Sequence, residues 1–81
     1  MHYVYVLRSI KDENLYIGCT KDIEVRLIQH GKGLVRATKS RLPVLLIYKE
    51  EYDDLYEAFR KERFYKTAKG KRELKKICPI V

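Results

Sequence analysis

The first twenty residues alternate between apolar runs and short polar links. Tyr3-Val4-Tyr5-Val6-Leu7 is aromatic and β-branched almost throughout and predicts a strand. Lys11-Asp12-Glu13-Asn14 is a turn signal. Leu15-Tyr16-Ile17 predicts a second short strand, ended by Gly18 and joined to the first as an antiparallel hairpin. A helix is expected next, with Thr20 as N-cap and Asp22 and Glu24 in the first turn, where the macrodipole favours acids. Gly31 and Gly33 should end it after His30. Residues 31–41 read as a basic loop, and residues 43–48 as a third strand with Pro43 at its start. Asp54-x-x-Glu57 resembles a capping box that opens a second helix running to about residue 69, where Gly70 breaks it. A short last helix over 71–77 is stopped by Pro79. The order β-β-α-β-α-α predicts an α+β domain, a small sheet covered by helices. At 81 residues, a single domain over 1–81 is expected.

The helix periodicity exposes an oddity. At about 100° per residue, with Ile23 at zero, Leu27 falls at about 40°, Arg26 at about 300° and His30 at about 340°. A cation and an imidazole therefore share the stripe that should be buried. In the second helix, with Leu55 at zero, Phe59 falls at about 40°, Ala58 at about 300° and Glu62 at about 340°. Glu62 lies inside the apolar stripe, while Glu57, at about 200°, points outward. A buried carboxylate needs a cation, a metal or a hydrogen-bond cage. One expectation is purely structural, an internal Arg26–Glu62 ion pair that fixes how the helices pack. The other is chemical. Tyr3 and Tyr5 share one face of the first strand, and Tyr16 lies on its partner. Phenols, an arginine, a histidine and one glutamate are the groups phosphodiester cleavage requires. The glutamate holds a metal, the arginine neutralises phosphate, and a phenol or imidazole handles the proton.

Charge points the same way. The net charge is +7, and it is segregated. Residues 1–30 are balanced, residues 31–49 carry five bases and no acid, residues 50–57 carry five acids and no base, and residues 58–81 carry nine bases against two acids. Such segregation suits a polyanion, nucleic acid first. The expected phosphate contacts are Arg36, Lys39 and Arg41 in the loop, and Lys66, Lys69 and Lys71 near the end of the second helix. Two cysteines and two histidines far apart in sequence make no zinc cage, and Gly31-Lys32-Gly33 is too short for a nucleotide-phosphate loop. No apolar run is long enough to span a bilayer, and the start lacks the basic and apolar regions of an export signal. The expectation is a cytoplasmic protein with reduced thiols and no membrane partner.

These residues resemble the GIY-YIG nuclease domain. Its second signature is intact as Tyr16-Ile17-Gly18, and the first is degenerate as Tyr3-Val4-Tyr5. Lys21-Asp22-x-x-x-Arg26-Leu27 is similar to the helix after the hairpin in the N-terminal nuclease domain of the repair excinuclease. Arg26-x-x-x-His30 is similar to a pair in restriction and small stand-alone members, and Ala58-Phe59-Arg60-Lys61-Glu62 resembles the helix whose glutamate binds metal. The resemblance covers about residues 3–75.

It implies a three-stranded antiparallel sheet flanked by helices, and cleavage of DNA with one divalent ion, Mg²⁺ or Mn²⁺. Tyr5 would be the general base or activating phenol, and Tyr16 would orient it or the phosphate. Arg26 would clamp phosphate, His30 would serve as proton or phosphate partner, and Glu62 would be the metal ligand. The choice between Tyr5 and His30 as base stays open, because an ordinary phenol, with a pKa of about 10, is almost fully protonated at neutral pH. The sequence departs from the family at the first signature's glycine and at a C-terminal asparagine, since its single Asn is Asn14 in the hairpin turn. The leading expectation is therefore an endonuclease of repair or recombination, acting on duplex or branched DNA, with RNA as an alternative substrate. The others are a catalytically weak nucleic-acid-binding module and a structural partner in a larger repair complex.

Overall fold

A computed structural model describes residues 1–79; residues 80 and 81, the last of the expected domain, lie outside the described residues. The elements follow the expected order. They are β1 (His2–Ser9), β2 (Leu15–Thr20), α1 (Ile23–Gly31), a 3₁₀ turn (Lys39–Arg41), β3 (Val44–Tyr52), α2 (Leu55–Tyr65) and α3 (Ala68–Ile77). The sheet is antiparallel with strand order β2-β1-β3. Central β1 is covered on both faces, which is why Val4, Tyr5, Val6 and Leu7 are all buried and the run does not alternate with polar residues.

One face presents Val4, Val6 and Ile17 to α2 and α3, where Ala58, Tyr65 and Leu74 complete the core. The opposite face carries Tyr5, Tyr16 and Gly18, and His30 of α1 packs over it. Ser9, at the end of β1, ties the hairpin turn to the basic loop. Its hydroxyl accepts from the Lys11 and Asp12 amides and donates to the Arg41 carbonyl at 2.6 Å.

Several boundaries differ from the expectation. Gly18 does not end β2, which runs on to Thr20. The glycine is required inside the strand, because a Cβ there would sit 2.5 Å from Cζ and Oη of Tyr5. The N-cap of α1 is Asp22, whose carboxylate accepts from the Val25 amide, and not Thr20. Thr20 instead accepts from the Asp22 amide, one step upstream. β3 runs four residues past the expected end and takes in Glu50 and Glu51. Gly70 does not break a helix. The break falls earlier, where the Thr67 hydroxyl caps α3 by accepting from the Gly70 amide. Gly70 lies in the first turn of α3, packed so tightly on the Phe64 carbonyl that a Cβ would overlap it.

The wheel for α1 holds, with Ile23, Arg26, Leu27 and His30 turned inward and Val25 and Ile28 exposed. The wheel for α2 is rotated. Ala58, Glu62 and Tyr65 face the sheet, whereas Leu55 and Phe59 are 38% and 45% exposed.

Candidate functional site

Four of the five expected site residues converge. Tyr5 and His30 are fully buried, and Tyr5 Oη lies 3.0 Å from His30 Nε2. Arg26, one helical turn before His30, donates from Nε to Tyr5 Oη at 3.3 Å and from Nη1 to Gln29 at 3.1 Å. The Tyr16 ring packs edge-on against His30 with centroids 5.1 Å apart, and tilted against Tyr5 at 6.2 Å. Strand pairing produces this. Tyr5 pairs with Gly18, so the absent side chain leaves room for the Tyr5 ring beneath α1.

The electrostatics are set by burial and by Arg26. Burial raises the Tyr5 phenol to about 12 against the opposing pull of the Arg26 hydrogen bond. Burial and then the Arg26 charge lower the His30 imidazole below its ordinary value. The hydrogen bond to Tyr5 raises Arg26 further above its already high value. At neutral pH the site therefore rests as a neutral phenol, a neutral imidazole and one guanidinium.

The family model for the GIY-YIG catalytic domain matches residues 1–76. The chain belongs to the GIY-YIG family. It is 43% identical to a UPF0213 protein of Staphylococcus saprophyticus, with 94% of this chain and 93% of that one covered. A UPF0213 protein of Staphylococcus aureus is 36% identical over the same shares. The solution structure of a UPF0213 protein from Bacillus halodurans superposes with a TM-score of 0.60 at 32% identity, covering 94% of this chain and 83% of that one.

The GIY-YIG signatures thus supply the phenols at the centre of the cluster, Tyr5 from the first and Tyr16 from the second. Glu62 stands apart. It projects from α2 toward the other face of edge strand β2, close enough to Cys19 to help burial raise that thiol. Its side chain is 19% exposed, and its ion-pair partner is Lys66, one turn on, at 3.8 Å. The expected structural alternative, an Arg26–Glu62 pair, is not formed. The two sit on helices packed on opposite faces of the sheet, and Arg26 is engaged by Tyr5 and Gln29 instead. Among the described residues, no three His, Cys, Asp or Glu side chains cluster as a metal cage. Glu62 nevertheless suits a hard divalent ion. It is one inward carboxylate whose cation partner is held at long range, leaving oxygen lone pairs for a site completed by water and phosphate.

The expected phosphate contacts Arg36, Lys39, Lys66, Lys69 and Lys71 are exposed, and Arg41 is half-buried. Arg41 and Lys71 line one open cleft with Asn14 and Leu15 at the end of the hairpin, which brings the loop and C-terminal bases together. Glu13 lines it too, but its carboxylate is paired with Arg8 at 3.1 Å. Among the described residues no helix is long and apolar enough to cross a membrane, and Cys19 and Cys78 are unpaired thiols.

Two groups are not evident from the sequence. Thr38 is fully buried with Oγ1 2.7 Å from His30 Nδ1. Glu50 of β3 accepts hydrogen bonds from three phenols, Tyr48 at 2.5 Å, Tyr52 at 2.6 Å and Tyr65 at 2.7 Å. The period-two spacing of Tyr48, Glu50 and Tyr52 on one strand face is the available signal, hidden because Glu50 opens an acidic run.

Proposed function

We propose that this chain is a metal-dependent endonuclease that hydrolyses phosphodiester bonds in DNA, in a cytoplasmic repair or recombination setting. The observation that carries the reading is the buried contact of Tyr5 with both His30 and Arg26. A structural core has little use for a phenol held between a guanidinium and an imidazole, whereas a hydrolytic site needs that sequence of groups.

The resting protonation states assign the roles. Tyr5 keeps its proton and sits within hydrogen-bond reach of His30 Nε2, and Arg26 donates to the same phenolic oxygen. As water attacks phosphorus, its proton passes to the Tyr5 oxygen while the Tyr5 proton passes to His30. The P–O bond to the leaving oxygen then breaks, and that oxygen takes its proton from solvent water, while the proton held on His30 is released to solvent to reset the site. Arg26, the partly exposed member of the cluster, meets the phosphate. Tyr5, whose oxygen is covered in the free protein, becomes the contacting base as Arg26 shifts onto the phosphate, with His30 the terminal acceptor. Arg26 also discourages imidazolium formation in the free protein. A phosphate docked on Arg26 offsets that charge and raises the proton affinity of His30, so the relay strengthens when substrate is bound. Tyr16 packs against both rings and fixes their orientation. Glu62 lies across the β2 edge from this cluster, so it would hold Mg²⁺ or Mn²⁺ for a substrate that spans that edge, and the ion would supply Lewis-acid chemistry there.

A second reading, a weak nucleic-acid-binding module, is favoured by one observation. The family's C-terminal asparagine has no counterpart here, the single Asn being Asn14 beside Arg41 and Lys71. A cleavage screen on branched, nicked, single-stranded and duplex DNA, with RNA alongside, in Mg²⁺ and Mn²⁺ separates the two. Cleavage abolished by Glu62→Gln and unaffected by Glu57→Gln supports the nuclease. Tight binding without cleavage in either metal supports the module.

A further inference from the structure

We infer that Thr38 is a positioning residue that fixes the tautomer of His30, holding the imidazole proton on Nδ1 so that Nε2 is free to accept from Tyr5. Its catalytic consequence rests on the proposed nuclease reading, and the tautomer on geometry alone.

The geometry begins with the Tyr5 hydroxyl. Tyr5 is fully buried, and its oxygen already accepts from Arg26, so its hydrogen needs an acceptor. The nearest acceptor is His30 Nε2 at 3.0 Å, with the Tyr16 hydroxyl a more distant neighbour. That nitrogen must then be unprotonated. A neutral ring carries its one proton on the other nitrogen, Nδ1, which faces Thr38 Oγ1 at 2.7 Å. Thr38 Oγ1 has lone pairs to accept there, and its own hydrogen can turn toward the Val35 carbonyl, a long contact at 3.5 Å on an oxygen that already accepts from the Thr38 and Lys39 amides. The hydrogen bonds then run in one direction, from Arg26 through Tyr5 and His30 to Thr38 and the Val35 carbonyl. Reversing the ring's proton would leave the buried Tyr5 hydrogen facing an N–H.

Thr38 needs to be held for this to work. It is fully buried, at the turn preceding the Lys39–Arg41 segment, where its amide donates to the Val35 carbonyl and its own carbonyl accepts from the Arg41 amide. The segment that fixes the imidazole is thus the one that carries Arg36, Lys39 and Arg41. The titratable and charged groups facing the ring are Tyr5 on β1, Tyr16 on β2 and Arg26 on α1. None of them hydrogen-bonds Nδ1, so the tautomer is left to Thr38.

The test is a ¹⁵N-resolved spectrum of the His30 ring near pH 8 in the whole chain, for the natural protein, Thr38→Val and Thr38→Ser. Only two histidines need assignment, His2 and His30. The natural protein and Thr38→Ser should show a protonated Nδ1 and an unprotonated Nε2. Thr38→Val, which keeps the shape and loses the hydroxyl, should move the proton toward Nε2. On DNA, Thr38→Val should lower kcat by about 10²-fold with KM little changed, and Thr38→Ser should restore it. A natural protein with its proton on Nε2 overturns the inference whether or not any variant folds. So does a folded Thr38→Val that keeps Nδ1–H. If the natural protein shows Nδ1–H, lost in Thr38→Val, yet cleaves nothing, the tautomer assignment stands and the nuclease reading falls.

Discussion

Replacing Glu50 with glutamine should destabilise the domain far more than its place in an acidic run suggests. The carboxylate accepts three phenol hydrogen bonds, one of them from Tyr65, which is fully buried on α2. Hydrogen bonds to a charged acceptor contribute about 1.5–3 kcal/mol each, against about 0.5–1.5 kcal/mol for neutral ones. The amide retains some acceptor capacity but turns an N–H₂ toward groups that are themselves donors. A loss of about 1 kcal/mol per phenol, discounted at the half-exposed Tyr48 and Tyr52, gives about 2–3 kcal/mol. For a domain of this size that lowers Tm by about 8–24 °C. The pH dependence carries a sign. Burial alone would raise the Glu50 carboxyl, but the three phenols outweigh it and hold it below its ordinary 4.5. Its contribution is whole above pH 4.5 and is lost as pH falls through the lower folded-state value. Burial and the Glu50 hydrogen bond raise Tyr48 to about 12, so the phenol's share is whole below pH 10 and fades as pH rises toward 12. Thermal melts followed by circular dichroism from pH 3 to 8 should show the gap between natural protein and Glu50→Gln narrowing only below pH 4.5. Glu51→Gln, on an exposed neighbour, should melt like the natural protein. If Glu50→Gln melts within roughly 2–3 °C of the natural protein, as an ordinary surface change would, the three phenol bonds contribute nothing net.

The other expected outcomes concern the site and the basic surface. Arg26→Ala should lower turnover by about 10²–10³-fold. Because Arg26 pairs with no acid among the described residues, the variant's Tm should move little, and a collapse of about 3–5 kcal/mol would point to a structural ion-pair role instead. Gly18→Ala should cost about 1–3 kcal/mol and reduce cleavage, because the added methyl must push Tyr5 off its partners. Gly31→Ala, which meets nothing within 4 Å, is the control in the same melts and rate assays. Lys39→Glu with Arg41→Glu should weaken binding to all DNA sequences alike and flatten the fall of log affinity with log salt, measured by fluorescence anisotropy. A salt-independent affinity in the natural protein would contradict the phosphate contacts.

The order of elements is readable because each switch of period, from unbroken apolar runs to helical stripes, is bounded by a turn residue. Gly18 and Gly70 mislead for one shared reason. In sequence both look like local breakers, whereas each is small because a distant ring or backbone lies against it. Arg26 and His30 stand out as polar residues on an apolar stripe, and the structure shows what compensates them. The same logic singles out Glu62, and its structural alternative, a pair with Arg26, does not form, because a wheel gives direction and not which face of the sheet a helix covers. Thr38 and Glu50 are invisible to it. A buried threonine in a loop leaves no periodic trace, and Glu50 looks like one of five solvated acids.

Whether Tyr5 performs chemistry or merely packs decides the proposed mechanism. Single-turnover cleavage of an end-labelled branched DNA in Mn²⁺ by the natural protein and by Tyr5→Phe asks this directly, with DNA affinity measured on the same samples. The natural protein should cleave in a metal-dependent way, and Tyr5→Phe should be slower by about 10²–10⁴-fold at unchanged affinity. Equal cleavage by the two proteins would show that the phenol takes no part in the reaction.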